Sequence, residues 1–219
     1  MRIERDLRCL RRSARGRLRR LRYLAVLCST SDATPKDREL GVTYCVLELY
    51  NLWYWFSRCF FLSAALGARD GAGVRVTIGA AAAPRTVEEA LTYAIRTRPR
   101  HRNQLPPWSR QDEPNWVKPG VLLDALEAIG ASNTTRVSAG LSASSGVFDD
   151  LPPFRHFFAH RGRDTAQALK GRIRAQLVFP ALRPTEALLT PTSVLGAVRP
   201  QPWLLDWIDD LTNAVQLVV

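Results

Sequence analysis

Lysine is almost missing from this 219-residue chain: of 31 basic residues, 28 are arginine and three are lysine. Against 20 acidic residues the net charge is +11. Arginine carries a planar donor fork suited to phosphate, although a coding bias toward arginine would give the same count without any function. The four cysteines, Cys9, Cys28, Cys45 and Cys59, form no Cys-x-x-Cys and have no histidine beside them. That spacing argues against a zinc site, and no metal or other cofactor is expected. The glycines lack the Gly-x-Gly-x-x-Gly and Gly-x4-Gly-Lys-Ser/Thr spacings that wrap phosphates, and no Gly-x-Ser-x-Gly elbow occurs. No apolar run of about 20 residues is present, because Glu48, Asn51, Ser57 and Arg58 interrupt the aromatic stretch from Tyr44 to Leu62. No membrane association is therefore expected. The first 22 residues are too rich in arginine for a secretory leader, so the expected location is cytoplasmic.

What the chain does contain is apolar periodicity: 46% of residues are hydrophobic, enough for one domain with elaborations. Residues 1–22 hold ten arginines against Glu4 and Asp6, a net +8, with Leu7, Leu10, Leu18 and Leu21 near helical spacing. We expect a basic N-terminal arm or helix over 1–36, either a clamp on RNA phosphates or a solvated segment. Residues 37–219 are expected to form the helical bundle. A long helix over 37–67, aromatic on most faces, reads as a central bundle helix or as a dimer seam. The glycine-bounded alternation over 71–83 predicts one short strand or an irregular crossover. Thr86, Glu88 and Glu89 open a helix reaching about Thr97. Residues 98–120 read as a loop in which Trp108 and Trp116 either stack unpaired bases or anchor the loop on the core. A short helix over 121–129 precedes a Ser/Gly/Asn-rich linker over 131–146. Beyond the motif described next, prolines break residues 177–199, and an amphipathic helix from Trp203 turns Asp206, Asp209 and Asp210 outward. The fold class is all-α, an up-and-down bundle with irregular insertions and at most one short strand.

The sharpest stretch is Asp149-Asp150-Leu151-Pro152-Pro153-Phe154-Arg155-His156-Phe157-Phe158-Ala159-His160-Arg161-Gly162-Arg163, which holds two of the three histidines. Aspartate followed by proline reads as a helix start, and the helix is expected to run to about Arg174. Leu151, Phe154, Phe157 and Phe158 share one side of it. Arg155, His156, Ala159, His160 and Arg163 share the other. The pair Arg96 and His101 has the same five-residue spacing, but Pro99 interrupts it and it reads as loop.

Arg155, a polar residue and His160, within Phe-Phe-Ala-His-Arg on an amphipathic helix, resemble the Arg-x4-6-His signature of the HEPN superfamily. The resemblance implies a helical bundle that dimerises so that two motifs form one cleft, and metal-independent endoribonuclease activity. It also implies a toxin or antiviral defence role, with an antitoxin or another defence protein as partner. Carried over, Arg155 is the phosphate-binding cation, His156 the polar residue that follows it and His160 the catalytic histidine. The tyrosine that some toxin members carry two residues after the histidine is replaced here by Gly162.

The residue types suit RNA cleavage without metal, which needs a base that works near neutral pH and a fixed cation for the phosphorane charge. His160 and Arg155 are of these types. His156 would serve as second acid or base, Arg161 and Arg163 would hold flanking phosphates, and Glu48 and Asn51 would form a second shell orienting an imidazole. The competing reading is a non-catalytic helical RNA-binding or scaffold subunit of a larger complex.

Overall fold

The protein is seen in a computed structural model that describes residues 3–30, 32–104, 106–176, 183–191 and 201–219. It is 71% helical, with nine α-helices and no sheet among the described residues, an all-α helical-bundle architecture. In chain order these are α1 (Leu7–Ser29), α2 (Pro35–Ala65), α3 (Val87–Arg96), α4 (Pro119–Ala128), α5 (Thr134–Ser142), α6 (Ser145–His160), α7 (Arg163–Gln176), α8 (Pro184–Leu189) and α9 (Trp203–Val218). None of them is long and apolar enough to cross a membrane. The segment over 71–83, expected as a strand or crossover, forms no strand: Arg75 makes an isolated bridge with Arg69, and a short 3-10 turn follows at Ala80–Ala82.

The chain forms two compact units, residues 1–15, 53–143 and 213–219 in the first and 16–52 and 144–212 in the second. This division does not follow the expected boundary after residue 36. Nor is the basic segment an arm. Leu7, Leu10, Ala14, Leu18, Leu21, Ala25 and Cys28 of α1 are all buried, because they recur every three or four residues and make a continuous apolar stripe. The arginines between them, including Arg8, Arg12, Arg15, Arg19 and Arg20, form the helix's exposed side.

In the first unit Trp53, Phe56, Phe60, Phe61 and Trp116 are fully buried. The Trp53 indole donates to the Val117 carbonyl at 3.1 Å, and Phe61 stacks on Trp116 with centroids 5.2 Å apart. Trp108 donates to the Thr92 hydroxyl at 3.0 Å. The buried Trp116 and the half-buried Trp108 thus both tie their loop to its surroundings, each with its N–H partnered. His101 is buried between Arg100 and Gln104, apart from any role in the motif. Of the α2 aromatics between Tyr44 and Phe61, Trp53, Phe56, Phe60 and Phe61 are buried, Tyr50, Tyr54 and Trp55 are half-buried and Tyr44 is exposed. The Ser/Gly-rich linker turns out to contain α5, because Val137 and Leu141 are buried and Gly140 leaves room for Leu217, whose Cβ would lie 2.9 Å from an added Cβ.

The second unit buries Val42, Cys45, Val46 and Leu49 of α2, Leu151, Phe154 and Phe158 of α6, Leu169 and Ile173 of α7, and Trp203 and Trp207 of α9. Phe154 meets both indoles edge-on, at 5.2 and 5.1 Å. Burial pushes the Cys45 thiol up to about 12, so it behaves as a core side chain. Asp209 pairs with Arg22. Asp210, expected outward, is half-buried, and burial together with Asp206, Asp209 and Asp150 pushes its carboxyl up to about 6. Of the proline-broken stretch, α8 packs Ala187 and Leu188 inward, while residues 177–182 and 192–200 lie outside the described residues.

Gly41 of α2 sits against Cys28 so closely that an added Cβ would collide with its sulfur. Gly→Ala inside a helix ordinarily gains about 0.5–1 kcal/mol. Here Gly41→Ala is expected to lose about 1–3 kcal/mol through overpacking, with recovery in Gly41→Ala/Cys28→Ala, as read by urea denaturation.

Candidate functional site

α6 begins at Ser145, four residues before the expected start, and passes through Pro152 and Pro153. Proline has no N–H, so the carbonyls of Phe148 and Asp149 lose their helical donors. Arg172 of α7 compensates at the second of these. Its Nη2 donates to the Asp149 carbonyl at 3.3 Å, and its Nε lies 3.8 Å from the Asp150 carboxylate. Asp150 is buried, which pushes its carboxyl up, and Arg172 works in the opposite sense.

The helix ends at His160 instead of running to about residue 174. Arg161 adopts a left-handed conformation (φ 48°, ψ 28°), and its N–H donates to the Phe157 carbonyl at 2.7 Å. The next carbonyl, of Gly162, accepts from the Thr165 hydroxyl at 2.8 Å and the Ala166 amide at 3.0 Å. A new helix starts there, with Arg161 rather than a glycine in the left-handed position that ends α6. Arg163 consequently lies on α7, not on the helix of Arg155 and His160.

On α6 the apolar side is as expected: Leu151, Phe154 and Phe158 are buried and Phe157 is half-buried. Arg155 is also half-buried, with its guanidinium carbon 5.0 Å from the centre of the Tyr50 ring, a cation–π contact. No carboxylate pairs with it among the described residues. His156, Ala159 and His160 are exposed. The two imidazoles stand on adjacent turns with ring centroids 4.7 Å apart and planes 64° from parallel. At about 100° per residue, Arg155 and His160 stand about 140° apart around the helix and flank the small Ala159.

Arg161 pairs with Glu39 at 3.0 Å and donates to the Thr43 hydroxyl at 3.4 Å. Thr185 also donates to Glu39, at 3.1 Å. Arg163 is exposed. The second shell expected at Glu48 and Asn51 is not found. Glu48 pairs with Arg17, and Asn51 is exposed. The reason lies in the α2 wheel. Glu39, Thr43 and Tyr50 stand at i, i+4 and i+11, within about 40° of one another, whereas Glu48 falls about 180° from Glu39. Sequence reasoning passes over these three and Arg172, although the spacing of Glu39, Thr43 and Tyr50 is an available signal.

The first unit has a cleft of about 530 Å³ lined by Glu4, Arg5, Ser63, Gly67, Arg69 and Arg75. No histidine lines it. No family model matches the chain, and no curated protein or solved structure matches it.

Proposed function

We propose that the protein is a metal-independent endoribonuclease of a toxin or antiviral defence system, working through Arg155 and His160. The observation that carries this reading is the motif's side-chain arrangement. Arg155 is braced on an aromatic face and has no carboxylate to neutralise it among the described residues, and both imidazoles are open to solvent. A structural ion-pair network would instead have consumed the cation. In the proposed reaction one histidine takes the 2'-hydroxyl proton, and the 2'-oxygen attacks the adjacent phosphorus. The bond to the 5'-oxygen breaks, the other histidine protonates the leaving oxygen, and Arg155 stabilises the phosphorane charge. The products are a 2',3'-cyclic phosphate and a 5'-hydroxyl. DNA, without a 2'-hydroxyl, would not be cut. Arg163 and Arg161 would contact flanking phosphates, Arg161 after exchanging Glu39 for phosphate.

Two chains would pair as a homodimer whose α6 helices line one groove, since each chain provides one Arg155 and one His160. The test is purified protein with labelled tRNA and single-stranded RNA in EDTA, with light scattering on the same preparation. Cleavage by a dimer in EDTA is expected. Loss of activity in EDTA would refute the metal-free chemistry, and an active strict monomer would refute the composite groove.

A second reading is a non-catalytic RNA-binding or scaffold subunit. It draws on the fact that neither imidazole has a described hydrogen-bond partner to orient it. Wild-type protein that binds RNA without cutting it would establish that reading.

The exposed side of α1 is the proposed grip on RNA. Because its leucines are core, deletion would unfold the chain, and charge neutralisation is the sound test. Arg12→Gln, Arg19→Gln and Arg20→Gln together should leave the fold intact. The salt dependence of RNA affinity should flatten by up to about 0.7 log units per log salt for each phosphate that these arginines no longer neutralise. An unchanged slope would make these arginines a solvated face only.

A further inference from the structure

We propose that His156 and His160 form a two-imidazole site for a divalent transition-metal ion of the zinc class, and that an ion held there switches cleavage off. The second half rests on the nuclease reading above; the first does not. Both rings are exposed, and neither ring hydrogen-bonds a described residue, so a ring nitrogen on each is open to a metal. Histidines four apart on a helix share a face, and neutral imidazole is a good ligand for this class of ion.

The ring spacing is compatible with one shared ion. With a metal–nitrogen bond of about 2.0–2.1 Å and a ring nitrogen about 1.2 Å from its ring centre, a bound ion lies about 3.2 Å from each centroid. Two such rings would have centroids about 4.5 Å apart for a right-angled pair of bonds and about 5.2 Å apart for a tetrahedral one. The observed 4.7 Å lies between these limits. Ala159 between the two turns leaves the approach open. The neighbouring cations have other partners, Arg155 the Tyr50 ring and Arg161 the Glu39 carboxylate. No group of three or more metal-binding side chains occurs among the described residues, so the chain contributes two ligands and water fills the other positions.

The consequence for cleavage follows from one lone pair. The imidazole nitrogen that accepts the 2'-hydroxyl proton is the same kind of nitrogen that binds the ion, and it cannot do both at once. The ion is therefore an inhibitor, and removing it with a chelator restores activity.

The experiment is calorimetric titration of the full chain with zinc chloride at neutral pH, beside His156→Ala, His160→Ala and the double variant. Both side chains are exposed, and circular dichroism checks that the variants keep their helix content. One saturable site per wild-type chain is expected, weakened at least tenfold in each single variant. No saturable binding by wild type, or unchanged binding in the double variant, overturns the site; the latter would direct attention to the exposed Cys9. In the cleavage assay zinc should inhibit with the same midpoint as binding, reversed by EDTA. Undiminished or faster cleavage at saturating zinc overturns the switch. A chain that never cuts RNA fails the nuclease reading and with it the switch, while calorimetry still settles the site.

Discussion

His160→Ala should slow cleavage of single-stranded RNA on the order of 10²-fold or more under single-turnover conditions, the usual scale for a positioned general base. The variant should keep its helical signal and its RNA affinity, because the ring is exposed and its one ring contact among the described residues is with His156. Arg155→Lys should not restore activity to an Arg155 defect. Lysine keeps the charge but loses the bidentate fork and the planar group that lies on Tyr50. Tyr50→Leu offers an intermediate measurement: the cation remains but its support is removed, so kcat should fall while RNA affinity holds. Cation–π contacts at exposed sites contribute about 0.5–1 kcal/mol, which sets the expected fall at several-fold. Rates near wild type in both His160→Ala and Arg155→Lys would move the chemistry away from α6.

Phe154→Ala is expected to destabilise the protein by about 3–5 kcal/mol, the range for deleting a fully buried aromatic ring. Phe154 has no exposed surface and lies edge-on to Trp203 and Trp207. Each edge-to-face pair contributes about 0.5–1.5 kcal/mol beyond the area buried. Phe154→Leu fills much of the space without the ring and should lose less. Urea denaturation followed by near-ultraviolet dichroism reads the loss directly, since two tryptophans form the walls of the cavity. A change below about 1 kcal/mol in the alanine variant would mean that α6 is not seated on α9 by this ring.

Both predictions concern one helix, and its two sides differ in how far the chain announces them. The buried side is readable because Leu151, Phe154 and Phe158 repeat at helical spacing. The same reasoning places α3 with its Thr86 cap, α4 before Gly130, most of α2, and α9. The end of α6 is hidden, because the apolar pattern carries on into Leu169 and Ile173 and the left-handed residue that ends the helix is Arg161, not a glycine. The start is easily misread because Pro152 and Pro153 look like a first turn. Only Arg172, on the following helix, reveals how an internal proline pair is tolerated.

The open side is less legible. Residue types and order single out Arg155, His156 and His160 from one sequence, but their surroundings depend on which face of a distant helix arrives opposite. Glu48 is nearer in sequence to Tyr50 than Glu39 is, yet it points the opposite way around α2 and serves Arg17. The basic N-terminal segment shows the same division. Its charge and leucine spacing are local facts, and they leave a solvated arm and a packed helix equally open.

By itself, then, the sequence determined the all-α class, the helix faces that must be buried and the side chains available for proton transfer, because periodicity and residue chemistry are local properties. Only the tertiary structure decided that α1 belongs to the core, that Tyr50 braces Arg155 and that Glu39 holds Arg161. Those outcomes depend on helices brought together by burial of apolar surface, a force without direction that leaves partners to be fixed by the packing of the whole chain.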